Sequence, residues 1–384
     1  MCVAVVVLLH VGQGFPFASS LSSHFAPIKP RIARRLVEVE PGVGTLQAAV
    51  TAASAGDELV LKDGTYTGSS ENVLLIGKNL TVRAQRPGMA ILDGRDARRV
   101  IQVVNGTVNF EGLIITKGRT SNGRGGGVRI SGGIVSFTNC VIHSNTASNR
   151  GGGLRITGGI VTLIRCEIHS NTVSKKTGPR GGGVFINSGA IVHFQSCIIR
   201  NNLAISTGGA VFISGSTTHV DFQNCSIYDN SATGGYAGDG NGGGLSITGG
   251  TVNVVSSTIR NNKATSNSGG GIYINAGEVT LHRCNIHHNE AKTVGGGVAI
   301  SQGRLHIIHS QVNHNKASDG GALMVSSTDG KTHVEGKTHV AVKSTALYNN
   351  DSPQIKVVKP AFACGLRVEG RPLIQGVFDD CPSD

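Results

Sequence analysis

The residues best suited to chemistry are cations at repeating positions. Arg124, Arg150 and Arg180 each stand directly before a glycine triplet. Arg129 and Arg155 recur one repeat apart just beyond the triplets, and Lys175 and Lys176 lie shortly upstream of Arg180. Gathered on one face, such cations would neutralise the carboxylate of a uronic acid. An eliminating or epimerising enzyme needs that, together with a base for the neighbouring proton. Arg129, Arg155 and Lys175 are the candidates for the base. The position held by Arg129 and Arg155 continues as Phe185, Phe212, Ser246, Tyr273 and Ala299. Phe185, Phe212 and Tyr273 are expected to extend the basic patch as an apolar stripe on which sugar rings stack. The expected ligand-binding set is therefore Arg124, Arg129, Arg150, Arg155, Lys176, Arg180, Phe185, Phe212 and Tyr273.

Acids are scarce where an enzyme would want them. Residues 120–318 hold fifteen Lys or Arg, ten His and six Asp or Glu. A hydrolase using paired carboxylates, or a calcium-dependent lyase with clustered ones, finds only Asp221, Asp229 and Asp239 as aspartates there, spread over different faces or a loop. His282, His287, His288, His306, His309 and His314 lack the Cys or acid partners of a metal site at set spacing. Neither Gly330-Lys331-Thr332 nor Gly336-Lys337-Thr338 has the earlier glycine of a phosphate loop. The pattern calls for no metal and no cofactor. The formal charge of +12 favours polyanions. With no nucleic-acid module and 4% aromatics to stack bases, acidic polysaccharide is the expected partner rather than nucleic acid.

The elements that must position these residues follow from periodicity. Gly-Gly-Gly or Gly-Gly-Ala starts at 125, 151, 181, 208, 242, 269, 295 and 320, with gaps of 26, 30, 27, 34, 27, 26 and 25 residues. A fixed period of that size signals a solenoid. Within one copy, Gly151–Val173, apolar and polar residues alternate through Leu154, Ile156, Val161, Leu163, Cys166 and Ile168. That is strand periodicity with one buried face. Three short strands per coil leave no room for a crossover helix, so neighbouring coils must pair directly. The fold class is all-β: a right-handed single-stranded parallel β-helix with coils of ~26 residues. Asn145, Asn171, Asn202, Asn230, Asn262, Asn289, Asn315 and Asn350 fall in one column and predict an amide ladder. Cys140, Cys166, Cys197, Cys225, Ser257, Cys284 and Ser310 fall in another and predict buried free thiols.

The stretch GTLQAAVTAASAGDELVLKDGTYTG resembles the opening of pectin-lyase-like β-helix proteins. The resemblance implies a short cap helix, here Thr45–Ala53 with Thr45 as N-cap, over the open end of the core. A first strand at Glu58–Leu61 is expected to follow. The repeats NKATSNSGGGI and NKASDGGAL resemble the passenger repeats of chlamydial polymorphic outer-membrane proteins over about Arg124–Asn350, which implies a surface adhesin. The polygalacturonase signatures Asn-Thr-Asp, Gly-His-Gly and Arg-Ile-Lys are absent, as is the Tyr-Gly-Phe-Asp element of alginate epimerases.

The apolar run Val3–Leu9 is too short to span a bilayer and reads as a secretory signal, residues 1–20. Residues 21–42 read as a linker or transit-like segment, with plastid targeting as the alternative to secretion or display at the cell surface. Residues 43–350 are expected to form the β-helix and residues 351–384 a C-terminal cap in which Cys364 and Cys381 could pair. The expected function is a secreted or surface module that binds acidic polysaccharide without catalysis. The alternative is a lyase or epimerase acting on uronate polymers.

Overall fold

Each coil turns the chain around a core filled by side chains from three sheets. The computed structural model describes residues 34–120, 123–174, 178–235, 240–325, 339–343, 346–348, 350, 355–357, 362–364 and 374–375. Strands of successive coils pair in parallel and in register, forming four ladders. The first contains Val128–Ile130, Leu154–Ile156, Val184–Ile186 and Val211–Ile213. The second contains Ile134–Thr138, Ile160–Ile164, Ile191–Gln195 and His219–Gln223. A third contains Val141–His143, Glu167–His169 and Ile198–Arg200. The fourth has two-residue strands such as Thr146–Ala147 and Thr172–Val173.

The first two ladders belong to one sheet, and in two coils they fuse into the eleven-residue strands Leu245–Val255 and Ile272–His282. A coil therefore has four strand segments in three sheets, where alternation in the sequence shows three strands. The fourth was missed because two residues are too few to show a period.

The core is a set of columns. Val135, Val161, Val192 and Val220 share one, and Ile142, Ile168, Ile199 and Ile227 share another, all at most 1% exposed. Phe110 stacks on Phe137 at 4.8 Å and Phe194 on Phe222 at 4.7 Å between ring centroids. Full burial of each such side chain contributes about 1.5–3 kcal/mol. Glycine is required at the triplets. Gly151 has φ 65°, and a Cβ there would lie 2.0 Å from the Leu154 carbonyl oxygen. The Arg-Gly-Gly segment then runs close enough to the next coil for Gly125 N–H to donate to Arg150 O (2.8 Å) and Gly151 N–H to Arg180 O (3.1 Å).

The asparagine column forms a continuous ladder. Asn171 donates from both its backbone N–H and its side-chain Nδ2 to Asn202 Oδ1, each at 3.0 Å. Asn171 Nδ2 also donates to the Ile142 carbonyl at 2.9 Å. The pattern repeats through Asn145, Asn202, Asn230, Asn262, Asn289 and Asn315 to Asn350. Cys140, Cys166, Cys197, Cys225 and Cys284 are free and buried, as the column implies.

The cap helix α1, Thr45–Ala52, lays Leu46 and Val50 on the end of the core. Its N-cap is Gly44 with φ 76°, and Thr45 makes no capping bond. The expectation for Thr45 fails because the preceding glycine takes the left-handed turn and makes Thr45 the first helical residue. Strand Leu36–Val39 pairs with Glu58–Leu61, so pairing starts earlier than expected. Tyr66 closes this end with its hydroxyl donating to the Val39 carbonyl at 2.7 Å, and burial pushes the phenol up to about 12. No helix among the described residues is long and apolar enough to cross a membrane. Residues 1–33, Cys381 and the Cys364 side chain lie outside the described residues, so the leader and the proposed disulfide do too.

Candidate anion-binding site

The repeat that builds the coils also collects the arginines. The residue before each glycine triplet sits at one corner, and parallel bridges join Arg124 to Arg150, Arg150 to Arg180, and Arg180 to Thr207. The middle residue of each first-ladder strand points away from the core. In register these are Gln102, Arg129, Arg155, Phe185, Phe212, Ser246, Tyr273, Ala299 and Met324. Two arginine columns thus run side by side at the spacing of one coil, ~4.8 Å.

Arg99 anchors the N-terminal end of the cluster. It is 7% exposed, and its Nε and Nη2 donate to the carbonyls of Gly125 and Arg124, each at 3.0 Å. Its Nη1 donates to Asn72 Oδ1 (3.1 Å) and Gln102 Oε1 (2.7 Å). Beside it opens a pocket of 420 Å³ lined by Glu71, Arg98, Gln102, Arg119, Arg124 and Arg129. Among the described residues, none of these arginines, nor Arg150, Arg155 or Arg180, lies within ion-pair distance of a carboxylate. The buried Nε atoms of Arg98, Arg129, Arg150 and Arg155 have no acceptor among the described residues.

The electrostatic consequence is visible in the guanidinium groups themselves. Burial, and then the charge of Arg129, pushes Arg99 down to about 10. Burial followed by Arg129, Arg124, Arg150 and Arg99 does the same to Arg155, also to about 10. Arg150 is lowered by burial and then by Arg124 and Arg180. Arginine resists deprotonation, so such shifts measure how unwelcome the positive charge is at these positions. An anion entering the pocket would supply both the missing acceptors and the missing charge, and each charge-assisted hydrogen bond contributes about 1.5–3 kcal/mol.

The aromatic residues play a different part from the one expected. Phe185 and Phe212 are each 1% exposed and stack on one another at 5.4 Å. Arg150 lies over the Phe185 ring at 5.1 Å and Arg180 over the Phe212 ring at 4.9 Å. The corner arginines fold across the column because the ring faces attract their cations. No bare platform for a sugar is left at these two rings. Tyr273 is half-buried, with its hydroxyl 3.5 Å from Ser301 Oγ. Lys175 and Lys176 lie outside the described residues. Of the expected site, Arg124, Arg129, Arg150, Arg155 and Arg180 come together. Glu71, Arg98, Arg99 and Arg119 join them from coils that lack the glycine triplet and so gave no repeat signal.

The histidines sit on the outer surface in ring pairs, with His288 stacked on His314 at 4.9 Å and His282 edge-on to His309 at 5.8 Å. No three His, Cys, Asp or Glu side chains converge as a metal site among the described residues.

Comparison with known proteins places this geometry in a family. Among curated proteins, none matches the sequence. Among solved structures, pectate lyase Pel9A is similar at 18% identity, over 85% of this chain and 81% of that one, with a TM-score of 0.44. A PL6 alginate lyase in complex with a trisaccharide is 14% identical over 90% of this chain and 85% of that one, TM-score 0.47. The PL6 polysaccharide lyase Pedsa3628 from Pseudopedobacter saltans is 11% identical over 89% and 87%, TM-score 0.46. Residues 38–294 match the family described as Pel9A-like, right handed beta helix region, and the chain belongs to that family.

Proposed function

We propose that this protein binds acidic polysaccharide through the arginine pocket at Arg98, Arg99, Arg124 and Arg129 and the adjoining Arg155. The observation that carries the reading is that Arg98 and Arg129, which line the pocket, have buried guanidinium Nε atoms with no acceptor among the described residues. A carboxylate spaced along a uronate polymer matches what those groups lack: two acceptor oxygens and one negative charge in a plane. The module acts without catalysis in this reading, outside the cell or at its surface, as the apolar run Val3–Leu9, read as a secretory signal, suggests. Titration with polygalacturonate and with alginate at low salt tests it. Arg129→Ala with Arg155→Ala should weaken binding about ten-fold or more. Unchanged affinity would sink the proposal.

A second reading, β-elimination, is favoured by one observation. Arg155 stands among four other arginines, and burial followed by their charges lowers it to about 10, which eases the loss of its proton. In that scheme Arg155 in its neutral form takes the C5 proton beside the carboxylate, and the neighbouring arginines hold the developing negative charge. The C4–O4 bond breaks as the C4–C5 double bond forms, the departing oxygen taking a proton from water. Proton NMR of the polymers before and after incubation decides. Unsaturated uronate signals establish the enzyme, and line broadening without new signals establishes the binding module.

A further inference from the structure

A second concave surface has the opposite chemistry to the arginine pocket. On the outer face of the second ladder, Thr162, His193, Asp221, Asn253 and Thr280 occupy one column in successive coils. The column beside it holds Gln195, Gln223, Val255, His282 and Ile308. Together they line a groove of 810 Å³ that also reaches His309.

One carboxylate, Asp221, lines it, and that carboxylate is organised. Asp221 Oδ2 lies 2.9 Å from His193 Nδ1, and Oδ1 lies 3.1 Å from His219 Nε2. Asn253 Nδ2 donates to Asp221 Oδ1 at 2.9 Å. A carboxylate only accepts, so each imidazole presents an N–H to it. Whenever His193 is neutral, its Nε2 is then left as an acceptor. Among the described residues no Lys or Arg lines the groove, and Gln195 and Gln223 are exposed.

This inventory selects its ligand. A polyuronate would bring its carboxylates toward Asp221 with no cation to receive them. A polyol brings donors for Asp221 and His193 and acceptors for the amides of Gln195 and Gln223 and the hydroxyls of Thr162 and Thr280. Val255 and Ile308 offer apolar contact for the C–H face of a ring. The rungs recur every ~4.8 Å, close to the advance of one pyranose unit in an extended chain. We infer that this groove binds an uncharged, hydroxyl-rich oligosaccharide lying along the solenoid axis. The inference is independent of the arginine pocket, and it would make the protein a bridge between a neutral and an acidic glycan.

Calorimetric titration of the full chain with cellohexaose, xylohexaose and mannohexaose tests it. At least one should give saturable heat. The double variant Gln195→Ala/Gln223→Ala changes only exposed side chains, keeps the fold, and should weaken that binding about ten-fold. Asp221→Asn should weaken it as well, while Arg129→Ala/Arg155→Ala should leave it unchanged. The inference is overturned if no hexasaccharide binds, if binding survives the glutamine changes, or if it disappears with the arginines.

Discussion

Two stacks of identical side chains run along this solenoid, and they behave in opposite ways. An asparagine amide is both donor and acceptor, so each member of the inner column satisfies the next, and the carbonyls and N–H groups of the turn are used up on the way. A guanidinium donates five times and accepts nothing. Arg124, Arg150 and Arg180, at the same spacing on the outside, cannot satisfy one another, and burial together with the charges of its two neighbours depresses Arg150. The same repeat thus yields a closed, stabilising ladder inside and an open, ligand-seeking one outside. Stacking a residue type is structural or functional according to whether its hydrogen bonds close upon themselves.

The largest effect should come from breaking the inner stack. Asn202→Ala removes the acceptor of Asn171 N–H and Nδ2 and the donor to the Ile168 carbonyl. Each orphaned group costs about 1–3 kcal/mol, so a loss of about 3 kcal/mol or more is expected in denaturant unfolding. The arginine column beside the outer stack, Arg129 and Arg155, should respond with the opposite sign. Arg155→Leu relieves a buried, unpaired charge and should leave stability unchanged or raise it by about 1 kcal/mol, while polyuronate affinity falls. A loss as large as that of Asn202→Ala would show that the arginines are structural after all. Next in size is ionic strength: raising salt should weaken polyuronate binding steeply and leave the unfolding midpoint nearly in place.

The smallest effect concerns the stacked pair His143 and His169, whose rings lie 4.9 Å apart on the third ladder. Burial lowers both below the ordinary value of 6.5. Below that value the unfolded chain binds more protons than the folded one, so stability falls as pH drops from 6.5 toward the folded values. His143→Gln/His169→Gln should flatten that slope in unfolding curves taken across the window, without moving the plateau near neutral pH.

The sequence shows what repeats and hides what does not. Columns such as Asn145 to Asn350 are legible because identical residues return at a fixed period, and the period alone implies coils in register. The cap at Leu46 and Val50 is legible from its helical spacing, whereas Gly44 displaces Thr45 from the capping role through a local turn that spacing does not reveal. Alternation places Phe185 and Phe212 outside, which is correct for the backbone. It says nothing of Arg150 and Arg180 folding across them, because that is a contact between coils and not a pattern within one. Arg99 and Glu71 stayed hidden for a related reason: their coils carry no triplet to align them. The groove at Asp221 was missed because its members differ in type from coil to coil.

The thiol column has a practical side. Cys140, Cys166, Cys197, Cys225 and Cys284 are each at most 2% exposed, one to a coil across the middle of the rod. A thiol reagent can reach any of them only when its own coil opens. The protein therefore carries a built-in set of position-resolved clocks. The order in which these five sulfurs become labelled under mild denaturant would read out where the solenoid begins to unwind, with no probe added to the chain.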